Sequence, residues 1–112
     1  MSGVRTDLPS SEVKFAAISE TSGGTHTLVA AVSGKKIRVT AIWFTVSSNI
    51  GVGFQSNGVD VIEPAYYDTY GGLAWMRGVD GDFFVETVAG ETLDIYMTGA
   101  STVAGGLNYQ EI

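Results

Sequence analysis

Cysteine is absent from the 112 residues, and with it both disulfide bridges and thiolate metal sites. The redox compartment leaves no mark on such a chain, and its stability has to come from packing within or between subunits. Histidine is nearly absent. His26 stands alone in Thr25-His26-Thr27, so a serine triad would depend on it, yet no serine lies in a G-x-S-x-G turn. We read His26 as a solvent-facing strand residue. Positive charge is scarce: six Lys and Arg against twelve Asp and Glu give a net charge of −6, which repels phosphate backbones and anionic lipid. Neither nucleic acid nor a membrane is expected as a partner. No run approaches the roughly 20 apolar residues that span a bilayer, and Met1 to Ser11 lacks the basic-then-apolar order of a signal peptide.

Other catalytic patterns are thin. Asp60, Glu63 and Asp68, or Asp80-Gly81-Asp82, supply carboxylates for a glycosidase pair or a calcium site. Asp-Gly is first a turn former, however, because aspartate bonds its own backbone and glycine takes positive φ. A calcium cage of roughly six to eight oxygens is not visible in one local run. The glycine-rich turns lead into strands rather than a helix, so no phosphate loop is read. We expect no enzyme, no cofactor and no metal.

What is abundant is apolar and glycine residues. An apolar content of 45% fits one globular domain with a modest core. Fifteen glycines are spread as punctuation between short runs rich in β-branched and aromatic residues. We read strands near 12–19, 25–32, 36–47, 50–56, 59–63, 73–77, 82–88, 92–98 and 102–111, and no helix of useful length. The pattern is all-β, an antiparallel β-sandwich or barrel over 12–112, preceded by an extended N-terminal arm over 1–11. Ile50, Val52 and Phe54, and again Leu93, Ile95 and Met97, alternate cleanly onto one face. Asn57-Gly58 marks a two-residue hairpin turn between 50–56 and 59–63, since both residues tolerate positive φ.

Three segments ask for more than a core. In 36–47, Ile37, Val39 and Ala41 alternate correctly, but Ile42, Trp43 and Phe44 then run together and Val46 continues in the opposite register. Either a bulge re-aims the strand or both faces are buried there. We favour the second, with Trp43, Phe44 and Val46 facing another subunit. The aromatic stretch Tyr66, Tyr67, Tyr70, Leu73, Trp75 and Met76 reads as a core lid, a subunit or partner surface, or a sugar-stacking platform. Val32 to Val39 and Val88 to Ile95 look alike. They are either two unrelated glycine hairpins or a pseudo-repeat whose opposite charges meet, Lys35, Lys36 and Arg38 against Glu91 and Asp94.

Three stretches in order carry a family likeness: Thr25 to Val39, in which T-L-V-A-A-V-x-G-K-K-I-R-V stands complete; Phe84 to Leu93, with its E-T-x-A-G-E-x-L; and the ending Gly106 to Ile112. Over about 24–112 the chain resembles small virion proteins of tailed bacteriophages, departing from them in the aromatic segment 64–77 and in the leading arm. The resemblance implies a jelly-roll-like fold of about eight strands that forms a homotrimer on the capsid exterior and cements the major capsid protein, after synthesis in the host bacterial cytoplasm. Within that role we place Tyr66, Tyr67, Tyr70 and Trp75 at a partner or subunit surface, and Val4, Arg5, Leu8 and Pro9 of the arm at a capsid anchor. The alternative in the same family style is a trimeric tail-fibre or receptor-binding module that meets host glycan through the aromatic segment.

Overall fold

Asn57 and Gly58 both sit at positive φ, 49° and 79°, and turn one strand back on the next as their side chains allow. The computed structural model describes residues 12–79 and 81–112. Its strands are β1 (Lys14–Glu20), β2 (Gly24–Val29), β3 (Ile37–Val46), β4 (Ile50–Ser56), β5 (Val59–Tyr67), β6 (Gly72–Met76), β7 (Leu93–Met97) and β8 (Val103–Glu111). They form two antiparallel four-stranded sheets, ordered β1-β8-β3-β6 and β2-β7-β4-β5.

The pairing is nested. β4 bonds β5, β3 bonds β6, β2 bonds β7 and β1 bonds β8, as if one long hairpin had been laid out and then wrapped. Wrapping adds the β3–β8 and β4–β7 contacts and sends every connection except β4 to β5 across to the other sheet. This is a jelly-roll β-sandwich. Its core gathers the inward residues of both sheets, among them Ile42, Phe44, Phe54, Ile95 and Leu107. Fully burying each such side chain stabilises the fold by about 1.5–3 kcal/mol.

Four expectations change. The bulge in β3 is real: its register against β8 shifts between Val39 and Ala41, so Ile37 and Val39 face the core before it and Ile42, Phe44 and Val46 after it. One face is buried by the partner sheet, and no second subunit is needed to cover Phe44 or Val46. Residues 82–88 are not a strand. They follow the start of β3 through an isolated Arg38–Glu86 bridge and bonds such as the Val39 N–H to the Val85 carbonyl. β5 runs on to Tyr67, because two register irregularities near its middle absorb Pro64.

The two similar glycine segments, finally, are crossovers between sheets and not hairpins. Their turns lie together, the Gly90 N–H donating to the Lys35 carbonyl at 2.8 Å. Their charges do not pair with each other. Arg38 and Lys36 reach Glu86 instead, at 2.7 and 3.7 Å, while Glu91 accepts from Ser56 and Asp94 from the Gly58 N–H. Glu86 comes close because its segment lies along β3. The arm, with Val4, Arg5, Leu8 and Pro9, falls outside the described residues.

Candidate functional site

The first sheet is apolar on its outer face as well as its inner one. After the bulge, Ala41, Trp43 and Thr45 point outward from β3, Phe15 and Ala17 from β1, Gly106 from β8, and Ala74 and Met76 from β6. Phe15 and Trp43 reach toward each other over β8 and stack, with centroids 6.2 Å apart and planes 28° from parallel. They meet above Gly106, where a Cβ would come within 2.6 Å of the Phe15 ring and 3.0 Å of Trp43. Glycine at 106 is thus the floor of an aromatic ridge. Beside it runs a groove of about 320 Å³ between Trp43 and Met76, floored by Ala41 and Ala74. Phe15, Trp43 and Met76 stay 60%, 41% and 76% exposed, an apolar patch that water does not favour leaving open.

Of the expected subunit residues, only Trp43 lies on this surface. The alternation Phe15, Ala17 against Ala16, Ile18 is apolar on both faces of β1 and is the signal by which Phe15 is found. The aromatic stretch divides in the same way. Tyr67 and Trp75 point inward: Tyr67 meets Phe44 edge-on at 5.4 Å, and Trp75 packs on Phe84 at 5.8 Å. Burial pushes the Tyr67 hydroxyl pKa above its usual value of 10.0. These two form the lid over the core end, whereas Tyr66 and Tyr70 stand 78% and 82% exposed.

Tyr66 and Tyr70 belong to one end of the sandwich, where β3, β5 and β7 finish. The loops there are tied down. Ser101 Oγ accepts from the Ser47 and Ser48 N–H groups at 3.1 and 3.0 Å, and the Thr102 N–H donates to Ser47 Oγ at 2.8 Å. Asn49 Oδ1 accepts from both the Thr69 N–H and its hydroxyl. Tyr70 is held at φ 62° while its N–H donates to the Val46 carbonyl at 2.8 Å. A bulky residue at positive φ is uncommon and costs stability, so its ring is displayed by a rigid frame. The described Lys and Arg residues, Lys14, Lys35, Lys36, Arg38 and Arg77, all lie at the opposite end, where β1 and β3 start and β6 finishes.

The outer face of the second sheet is polar. Thr25 donates to Gln55 Oε1 at 2.8 Å, and Gln55 Nε2 donates to Asp60 at 2.9 Å. Asp94, 3% exposed, accepts from the Gly58 N–H through Oδ2 and clamps the hairpin turn, while its Oδ1 has no described partner. His26 is half-buried at the β1–β2 corner rather than solvent-facing. It hydrogen-bonds to the Ser22 carbonyl at 2.7 Å and lies 3.2 Å from Glu20. Asp60 and Glu63 lie in β5, with Asp60 accepting from Gln55, and Asp68 follows the end of that strand. Among the described residues, no group of three or more His, Asp or Glu gathers where a metal ion could sit.

Comparison with known protein families, with characterised protein sequences and with solved structures returns no match.

Proposed function

We propose that this chain is a structural virion protein that binds the outer surface of a phage capsid as a trimer and cements the lattice of the major capsid protein. The observation that carries this reading is the apolar outer face of the first sheet, with Phe15 and Trp43 stacked over Gly106. A sandwich has its core between its sheets, so a second apolar face calls for a protein neighbour. Jelly rolls serve capsid and lectin roles alike, so the fold is compatible with the reading but does not select it. The family likeness of Thr25 to Val39 and Phe84 to Leu93 supplies the choice.

In this reading the Phe15–Trp43 ridge makes the contact between subunits. The rigid end that displays Tyr66 and Tyr70 turns to the major capsid protein, rigid aromatics being efficient anchors at protein contacts. The net charge of −6 suits a position outside the shell, away from packaged DNA.

The hydroxyl-rich setting of Tyr66 and Tyr70, at the end without described Lys or Arg, favours one second reading, a tail-fibre module stacking these rings on host glycan. Co-sedimentation of the purified protein with bare phage heads tests both. Uptake in hundreds of copies per head that is lost in Tyr70→Ala is the expected result. A protein found at a few copies on tails and absent from heads would replace cement with the fibre module.

A further inference from the structure

Four strands end a sheet here, β1 and β6 in the first and β2 and β5 in the second. An edge strand offers unpaired N–H and C=O groups to any passing strand, and natural chains blunt it with charge, proline or bulges. β5 carries Asp60, Glu63 and Pro64 and two register irregularities. β2 is bulged between Thr27 and Val29. β1 starts on Lys14, ion-paired with Glu111 at 2.8 Å, and finishes on Glu20. β6, Gly72-Leu73-Ala74-Trp75-Met76, has none of these devices, and its register against β3 is unbroken.

The register also says which groups face out. The Arg77 N–H donates to the Thr40 carbonyl and the Val46 N–H to the Gly71 carbonyl. In an antiparallel ladder the bonded pairs alternate, so residues 71, 73, 75 and 77 aim their backbone groups at β3 while Gly72, Ala74 and Met76 aim theirs away. All three are exposed, and no described residue bonds to those outward groups.

We propose that β6 pairs antiparallel with β6 of a second copy across a twofold axis at Ala74, joining two first sheets into one continuous sheet. The edge is complementary to itself. The N–H and C=O of Ala74 meet those of the other Ala74, and those of Gly72 meet those of Met76, so every outward group of the strand gains a partner. On the outer face each Met76 side chain lies across Gly72 of the second copy, where no side chain stands in its way. Glycine is obligatory at 72, because a Cβ there would fall on the Phe44 carbonyl oxygen. On the inner face Leu73 meets Trp75 of the second copy, two half-buried side chains that close over one another.

Charge agrees with the pairing. Antiparallel strands set Arg77, at the cationic end of one copy, beside Gly71 of the other, next to Asp68 and Tyr70 at the end without described cations. The groove beside Trp43 then continues from one copy into the next instead of opening at β6. A foreign partner would have to bring an equally bare strand; a second copy brings one by construction. This twofold contact is separate from the threefold contact proposed through the Phe15–Trp43 ridge, and the two together would knit trimers to one another.

Light scattering on the full chain and two variants decides. In Ala74→Pro the lost N–H points outward, so no bond within the monomer is removed, while the edge is blocked. Met76→Lys places a charge where Gly72 of the second copy would lie. Wild type is expected at an even number of 11.8 kDa chains, and both variants at half that number with unchanged circular dichroism. Hexamer falling to trimer supports both contacts; dimer falling to monomer supports the edge pairing and removes the trimer. A wild-type monomer, or an assembly whose mass Met76→Lys leaves unaltered, overturns the pairing. If that unaltered assembly is a trimer, the threefold reading stands without it.

Discussion

The two sheets of this sandwich carry similar residues inside and opposite ones outside. The first presents Phe15, Trp43, Met76 and a floor of alanine and glycine; the second presents the Thr25–Gln55–Asp60 chain and the clamped turn at Asp94. Both faces reach the surface on the same backbone scaffold, so the difference is not a consequence of folding. Removing the aromatic ridge, whose rings are exposed, should leave the core intact, whereas cutting the polar chain should weaken the hairpin of β4 and β5. On the proposed reading, one face is invested in a neighbour and the other in the fold itself. Mutations that separate stability from assembly are the way to break that division.

The largest effect is expected from two adjacent glycines in β8. A Cβ at Gly105 would strike the Trp43 carbonyl and lie 2.7 Å from Phe44 Cα, and backbone in the middle of a sheet cannot retreat. Gly105→Ala should cost about 3 kcal/mol or more by forcing β8 from β3, read as a fall in Tm of at least about 10 °C. At Gly106 the obstructing atoms are ring tips of Phe15 and Trp43, which can swing into solvent. Gly106→Ala should cost less than about 1 kcal/mol yet unstack the ridge, seen as a red shift of tryptophan emission together with loss of assembly. Equal losses of Tm in the two variants would erase the distinction between the faces.

A smaller effect is expected on the polar face. Gln55 is buried and links Thr25 to Asp60, both of which can turn back to water when it is gone. Gln55→Leu should lower stability by about 1 kcal/mol in urea unfolding and leave the assembled mass unchanged. A change of mass without a change of midpoint would place the neighbour on this face instead.

Much of this was legible in the residues. Asn57-Gly58 requires positive φ and has it, and the alternation of Leu93, Ile95 and Met97 sends all three to the core. The run Ile42-Trp43-Phe44 marked an anomaly correctly but not its cause. A one-residue bulge and a doubly buried strand leave the same sequence pattern, and only the β8 register separates them. Residues 82–88 have strand chemistry but pair through one bridge, since β6 already fills the neighbouring position along most of β3. The alternation of β1 shows that Phe15 lies on an apolar outer face, but not that it meets Trp43 over Gly106, residues distant in sequence that no local pattern brings together.

The smallest effect tests the inner boundary of the tyrosine end. Burial raises the pKa of Tyr67 above 10.0, whereas Tyr66 and Tyr70 stand in solvent. An acid with a raised folded pKa holds its proton more tightly in the native state, so its stabilising contribution is complete below the unfolded value near 10. That contribution is lost as pH climbs from there through the folded value, because the unfolded chain releases the proton first. Stability should therefore decline above pH 10 in wild type, and Tyr67→Phe, which keeps the ring against Phe44, should flatten part of that decline. Ultraviolet absorbance of tyrosinate should show a phase above the usual tyrosine value of 10.0 that Tyr67→Phe removes. If Tyr67→Phe instead removes no phase above that value, the ring is solvated, and the lid it forms with Trp75 belongs with the exposed rings of Tyr66 and Tyr70.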